Sequence, residues 1–496
     1  MFLRIPEKLR EVFRMTHLMQ DDKMFRLESD SVGTKEIPKD AYYGIHSLRA
    51  VENFSISGTR LHVEMINNLA LLKKACAITN ANAGVLDPKI ADAICKACDL
   101  LIEGKFHDQI IVDPIQGGAG TSTNMNVNEV IANVAIEILG GELGDYSIVH
   151  PNDHVNYGQS TNDVVPTAGK MTTLALLQDL KQSLAHLKNT FDEKAAEFDA
   201  VIKMGRTHLQ DAIPIRLGQE FSAYATAIAR NLNRIKQAEA ELYTINMGAT
   251  AIGTGLNADS VYYDHITETL SSLSGFAFRQ ATDMIEATQN ADCFAVISTA
   301  LKHCAVSLSK IANDLRLMAS GPRTGFSEIN LPPRQNGSSI MPGKINPVIP
   351  EVVSQVAYLV IGNDITISMA VEAGQLELNV FAPVVLENLF QSITVLNNVA
   401  MTFADNCVSG ITANEERCKQ LVDSSVGVVT ALCPHIGYSH AAQIAKRSLA
   451  EQIPVRELIL QEKILSEEEL NQILDAHSMT GPGISGKELL AHRGER

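Results

Sequence analysis

The sequence predicts an all-α fold, and three observations carry that expectation. Apolar residues recur at steps of three and four through 61–84, 168–204, 219–247, 285–319, 350–370 and 383–409, the period of a helix with an inward face. Strand-like alternation is scarce along the chain. Glycine and proline gather between these segments, at 117–120, 205–214, 248–255, 321–325 and 332–347, which marks those places as connections.

Taken from the N-terminus, residues 1–23 mix basic and acidic side chains without an apolar centre. They fit a secretory signal poorly and a transit peptide only weakly, and are expected to be a leader ahead of a start at Met24. A first region, 1–160, holds the 61–84 helix and a glycine-rich string before Thr121. A central region, 161–412, is expected to be a long-helix bundle, because segments of this length pack most readily against one another. In 168–204 and in 285–319 the apolar positions, in the first among them Ala168, Met171, Leu174, Leu176, Leu177, Leu180 and Leu184, occupy more than one helix face. Such a helix must be buried in a multi-helix core or against other subunits, and a large monomeric bundle satisfies the same pattern. A small tail region, 413–496, breaks into short helices. One is expected to start at Ser466, followed at the third helical position by Glu469, a pairing that satisfies free amides at a helix start.

Composition narrows the function. A chain of 496 residues buries a large core, and 45% hydrophobic with 20% charged residues at a mean hydropathy of +0.03 is an ordinary globular balance. The net charge of -16 and the absence of a dense basic block argue against nucleic acid as a partner. The apolar stretches are broken before the roughly 20 residues of a membrane span, so no membrane partner is expected. Eight scattered cysteines (Cys76, Cys95, Cys98, Cys293, Cys304, Cys407, Cys418 and Cys433) read as reduced thiols of a cytoplasmic protein. Cys95 and Cys98 fall within a helical pattern and lack a second pair, so packing is favoured over metal or redox chemistry.

The chemistry concentrates in the connections. Residues 337–347, GSSIMPGKINP, set two serines, a lysine and an asparagine among glycines and prolines, which suits a loop that folds over a small anion. No base stands at nucleophile spacing and no G-x-S-x-G elbow is present, so serine-hydrolase chemistry is not indicated. Residues 117–128, GGAGTSTNMNVN, and 158–163, GQSTND, put hydroxyl and amide groups at helix entrances. Either alone reads as a helix cap. Residues 205–211, GRTHLQD, set Arg206, Thr207 and His208 between two long helices, where a lone histidine is usually structural.

Together and in this order, these strings resemble the fumarase/aspartase superfamily, over a span from about residue 26 to the last thirty or so. The resemblance implies a three-domain, all-α fold with a long central bundle, a homotetramer, and active sites each assembled from three subunits. It makes Ser338 the general base and Ser339 a neighbouring ligand. Lys344, Asn346 and Thr207 grip one substrate carboxylate, while Thr121, Ser160, Thr161 and Ser339 stabilise the other as it takes up charge. His208 lies beside the substrate and pairs with Glu351. No cofactor and no metal are required, since no paired His/carboxylate ligand spacing stands out, although the family allows nonessential activation by divalent ions.

Within the superfamily, GGAGTS at 117–122, STND at 160–163, DAYYGIH at 40–46, MGAT at 247–250 and GQLE at 374–377 resemble the aspartase branch. The implied reaction is reversible elimination of ammonia from L-aspartate to give fumarate, through Cβ proton abstraction and an aci-carboxylate. Thr121, Thr161 and Asn162 are the residues expected to tell an ammonium from a hydroxyl. His150-Pro151-Asn152-Asp153 instead resembles a fumarase secondary anion site, which keeps a malate-to-fumarate enzyme as the alternative. A catalytically dead homologue and a dicarboxylate-binding protein are the readings from outside enzymology. The intact base, anchors and clamps weigh against the first, and a binding protein would need the clamps but not a base in a mobile loop.

Overall fold

The computed structural model describes residues 24–475 and 477–491, so the leader expected at 1–23 lies outside the described residues. In chain order the elements are β1 (Phe25–Asp30), β2 (Gly33–Pro38), α1 (Ile45–Asn53), α2 (Val63–Asn82), α3 (Pro88–Ile102), α4 (Thr121–Ile138), α5 (Thr161–Glu197), β3 (Ile202–Thr207), β4 (Gln210–Arg216), α6 (Leu217–Ala238), β5 (Thr244–Ile245), α7 (Ser260–Ser274), β6 (Arg279–Gln280), α8 (Met284–Gln289), α9 (Asp292–Met318), β7 (Ile329–Asn330), α10 (Val348–Glu372), α11 (Ala382–Asn406), β8 (Thr412–Ala413), α12 (Glu415–Ser424), α13 (Val429–Ile436), α14 (Tyr438–Glu451), α15 (Val455–Gln461), α16 (Glu467–Ile473) and α17 (Glu488–Ala491). Among the described residues most are helical and the strands form only two-stranded sheets, which is the all-α class the apolar period predicts.

The helical segments are where the period puts them, with informative differences at their ends. The 168–204 segment stops being helical at Glu197 and gives way to β3. The 219–247 segment ends at Ala238 and passes through a 3-10 turn, and the 285–319 segment is broken between Gln289 and Asp292. Ser466 accepts from the amide of Glu469 and Glu469 accepts from the amide of Ser466, the reciprocal cap read from the sequence.

Contacts divide the chain into two compact units, neither continuous in sequence. The first takes the chain up to Asp179, Ile235–Lys302 and Val360–Thr394; the second takes Leu180–Arg234, His303–Leu359 and the chain from Val395. The chain changes unit inside five long helices, α5, α6, α9, α10 and α11. The three consecutive regions expected at 1–160, 161–412 and 413–496 do not coincide with these units, because long helices carry one segment through both.

In the second unit, Met204 of β3 joins Val422, Val428, Leu432, Ile444, Leu458 and Leu470 in the core of the C-terminal helices. The multi-faced residues of α5, from Ala168 and Met171 to Leu180 and Leu184, are all buried within the single chain. Their all-round apolarity is therefore met without another subunit, whereas in the 285–319 segment Val296, Val306 and Leu317 of α9 stay exposed. The unmet face lies elsewhere. Two helices, α9 and α10, are long and apolar enough to cross a membrane, contrary to the expectation that no apolar stretch is that long, because their few charged residues interrupt them little. More than half of the most apolar stretch of α9 is buried, 56%, as in a core helix, against 39% for that of α10. Tyr358, Ile365 and Met369 of α10 are 63%, 59% and 67% exposed at helical spacing.

Candidate active site

In the first unit, two helix N-termini meet. Gly118, Ala119 and Gly120 all take left-handed backbone conformations (φ +87°, +59° and +94°), turning the chain back on itself into α4. A Cβ on Gly120 would sit 3.0 Å from Val165 of α5, so glycine lets the first turns of α4 and α5 touch. Thr121 opens α4, and its hydroxyl donates to the carbonyl of Gly118 at 2.7 Å. Ser160 precedes α5 and its hydroxyl accepts from the amide of Asn162 at 3.2 Å. Asn124 links the two starts by donating to the hydroxyl of Thr161 at 3.3 Å. Thr121, Ser160, Thr161 and Asn162 are thus brought together where two helix dipoles present their positive ends, an arrangement suited to an anion.

Residues that the sequence reading missed hold this cluster. Asp163 accepts from the amides of Ser160 (2.9 Å) and Thr250 (3.0 Å), tying the entrance of α5 to the MGAT string. Burial pushes its carboxyl up to about 7 even against those donors. Fully buried Lys73 donates to Asn156 Oδ1 and Gln159 Oε1, each at 2.8 Å, and Asn124 and Asn128 converge on the same Asn156 oxygen at 3.1 Å. Burial pulls the Lys73 ammonium down to about 8. Pro166 lacks the N–H that would bond the Asn162 carbonyl one turn back, and Asn246 donates to that carbonyl instead at 3.1 Å. Asp163 lies inside the STND string and was legible as a motif member, whereas Lys73 had no signal beyond a lysine in an apolar helix.

In the second unit, Thr207 ends β3, and His208 and Leu209 form the turn to β4 with φ of +54° and +59°. Two-residue hairpin turns want this left-handed geometry, normally supplied by Asn-Gly; a histidine and a leucine adopt it at a cost of about 1–3 kcal/mol each. The 337–346 loop closes on itself. The Gly337 amide donates to the Lys344 carbonyl at 2.9 Å, and Asn346 Nδ2 donates to the Gly337 carbonyl at 2.6 Å. A Cβ on Gly337 would lie 2.4 Å from the Lys344 oxygen, so only glycine fits. Asn346 therefore serves here as a clasp of the loop. Ser338 Oγ accepts from the amides of Ile340 (3.2 Å) and Met341 (3.0 Å). Ser339 and Lys344 are exposed on the same loop.

Glu351 stands in the first turn of α10, 3.8 Å from Arg316. Among the described residues no ion pair or hydrogen bond joins it to His208, so a single chain does not make the pairing that the resemblance implies. His150 works within its own turn, where its Nδ1 accepts from the amides of Asn152 and Asp153, both at 3.2 Å, and so caps the segment that follows. It also borders a cleft of about 600 Å³ lined by His46, Arg49, Glu129 and Tyr146. Among the described residues no group of three or more His, Cys, Asp or Glu side chains gathers as a metal site. All eight cysteines are free thiols, and burial raises Cys95 to about 11 and pushes Cys98 well above the usual thiol range, the state of packed rather than reactive sulfur.

Comparison with known proteins bears on the family and the fold. A family model described as lyase matches residues 33–362, and one described as the fumarase C C-terminus matches 428–481. An aspartate ammonia-lyase from a Bacillus species is 56% identical, with 93% of this chain and 99% of the relative covered; that of Bacillus subtilis is 55% identical, with 95% and 100% covered. Among solved structures, a fumarate lyase:delta crystallin from Brucella melitensis, bound to cobalt, matches with a TM-score of 0.90 at 48% identity over 92% of this chain and all of that one. A class II fumarase from Schistosoma mansoni matches with a TM-score of 0.89 at 35% identity, with 92% and 99% covered.

Proposed function

The chain belongs to the fumarase/aspartase superfamily of lyases, and from that premise we propose that it removes ammonia from L-aspartate to give fumarate, reversibly, with Ser338 as the base. The relatives that cover nearly its whole length at 49–56% identity are aspartate ammonia-lyases, whereas the class II fumarase stands at 35%.

The observation that carries the mechanism is the setting of Ser338. A serine hydroxyl is too weak an acid to be ionised near neutrality, and two amides aimed at Oγ favour its alkoxide. The alkoxide takes a proton from Cβ, and the C–H electron pair moves onto the adjacent carboxylate to give the aci-carboxylate. As that charge collapses, the Cβ–Cα double bond forms and the C–N bond breaks, its electron pair leaving with nitrogen. A substrate amine that enters as an ammonium departs as neutral ammonia and needs no added acid. A hydroxyl would have to be protonated to leave.

The paired N-termini of α4 and α5, with Ser160, Thr161 and Ser339, stabilise the dianionic end as charge develops. Because the Thr121 hydroxyl proton is already given to Gly118, Thr121 offers lone pairs, which match an ammonium donor. Lys344, Asn346 and Thr207 hold the other carboxylate, with His208 beside it and Glu351 behind His208. The scheme uses no cofactor, and divalent ions enter it only as nonessential activators. We further infer a homotetramer in which three subunits share each site. The exposed apolar stripe of α10 supports it, being the kind of surface that a soluble protein covers with a partner.

Ultraviolet absorbance of fumarate, followed separately with L-aspartate and with L-malate, tests the reading. Fumarate is expected from L-aspartate, with Ser338→Ala losing about 10²–10⁴-fold in rate, as removal of a general base does. Fumarate from L-malate alone would make the chain a fumarase.

A further inference from the structure

The hairpin that carries Thr207 and His208 is fastened by charge. In a regular strand, residues three apart point to opposite faces. The pairing of β3 with β4 shifts register between Met204 and Arg206, and a Cβ on Gly205 would sit 2.6 Å from the Ile213 carbonyl oxygen. The extra residue lies on β4, where Ala212 and Ile213 stand opposite Gly205, and a bulge of this kind sharpens the local twist of the pair around Lys203 and Arg206. There both meet one carboxylate. Glu328 is 0% exposed, with Oε1 2.8 Å from Arg206 Nη1 and Oε2 3.3 Å from Lys203 Nζ. Lys203 also pairs with Glu220 of α6 at 2.9 Å, which makes a buried cluster of two positive and two negative groups. Phe326, two residues before Glu328, lies under the Arg206 guanidinium at 4.2 Å.

Glu328 is itself immovable. Its amide donates to the Met318 carbonyl and its carbonyl accepts from the amide of Asn414, both at 2.9 Å. Nine residues further along begins the 337–346 loop with Ser338.

We propose that Glu328 is a positioning residue, which through Arg206 fixes the left-handed Thr207–Leu209 turn in its substrate-holding place and roots that turn to the segment leading into the Ser338 loop. The inference rests on the reading of Thr207 and His208 as substrate residues. It gives a role to a carboxylate that touches no substrate. A buried pair of this kind is a weak source of net stability, since desolvation offsets attraction, but it is strongly directional, because moving either partner leaves a charge uncompensated.

Alanine at 328 would leave Arg206 without its carboxylate and Lys203 with Glu220 alone, so the test uses variants that keep charge: Glu328→Asp, which withdraws the carboxylate by one methylene, and Arg206→Lys, which removes the planar fork. In assembled protein, each is expected to lower kcat/KM for L-aspartate about 10-fold, mainly through KM, and the double variant to fall no further than the worse single, the mark of residues acting as one unit. Amide hydrogen exchange in the 206–211 segment should accelerate in both variants while that of α5 is unchanged. Singles within about twofold of wild type, or losses that multiply in the double, overturn the proposal. Should Glu328→Asp not assemble, Arg206→Lys alone decides on the same two readouts. A wild-type protein that makes no fumarate from L-aspartate overturns the functional reading instead, and the exchange rates still report whether Glu328 holds the turn.

Discussion

Glu129 has four donors directed at its carboxylate, the amides of Gly44, His46 and Ser47 and the hydroxyl of Ser47, yet burial still pushes it up to about 7. Desolvation outweighs the hydrogen bonds, and nearby Glu28 adds to it. The consequence for stability follows from the direction of the shift. The folded protein keeps a proton that the unfolded chain releases above about 4.5, so the contribution of Glu129 is complete at lower pH and is lost as pH rises towards 7. Denaturant unfolding between pH 5 and 7 should therefore show a fall in stability that is shallower in Glu129→Gln, by up to about 1.4 kcal/mol per pH unit. Equal slopes would mean that Glu129 does not titrate in that window. At this scale the motif residues were legible because glycine, hydroxyl and amide groups cluster abnormally in short strings. Lys73 and Glu328 were not, since each is a single charge in unremarkable surroundings whose partners are distant in sequence.

Among the elements, long helices declare themselves by period, and Ser466 with Glu469 declares a helix start by local chemistry alone. The β3–β4 hairpin was hidden. Its alternation lasts only from Ile202 to Met204 before Gly205, which stands opposite the bulge of β4, interrupts it, and the glycine and proline of 205–214 read as a connection. The same bulge makes the hairpin fragile. Gly205→Ala forces a Cβ against the Ile213 carbonyl, which should cost about 1–3 kcal/mol by overpacking and displace the turn. The expected outcome is a lower melting temperature together with a raised KM for L-aspartate. A normal KM in the variant would show that the turn tolerates movement of its own strand.

For the whole molecule, apolarity on every face of a helix was a poor guide to assembly. Helix α5 buries its apolar residues inside one chain, while α10 keeps Tyr358, Ile365 and Met369 in the open. What separates them is tertiary context, which periodicity does not contain. Introducing an unpaired charge into the face of α10 should be incompatible with burial against another subunit. Ile365→Glu is thus expected to lower the mass measured by light scattering and to abolish fumarate production together, whereas an active variant of unchanged mass would place the interface elsewhere.

The crossing of the chain between its two units inside five helices also sets a schedule for its birth. The first unit cannot close until the stretch ending at Thr394 has emerged, roughly 200 residues after its opening stretch ends at Asp179. At about 5–20 residues per second of synthesis, that leaves its apolar surfaces uncovered for about 10–40 s on the ribosome. Each nascent chain must be kept from its neighbours for that long before it can begin to fold as a unit.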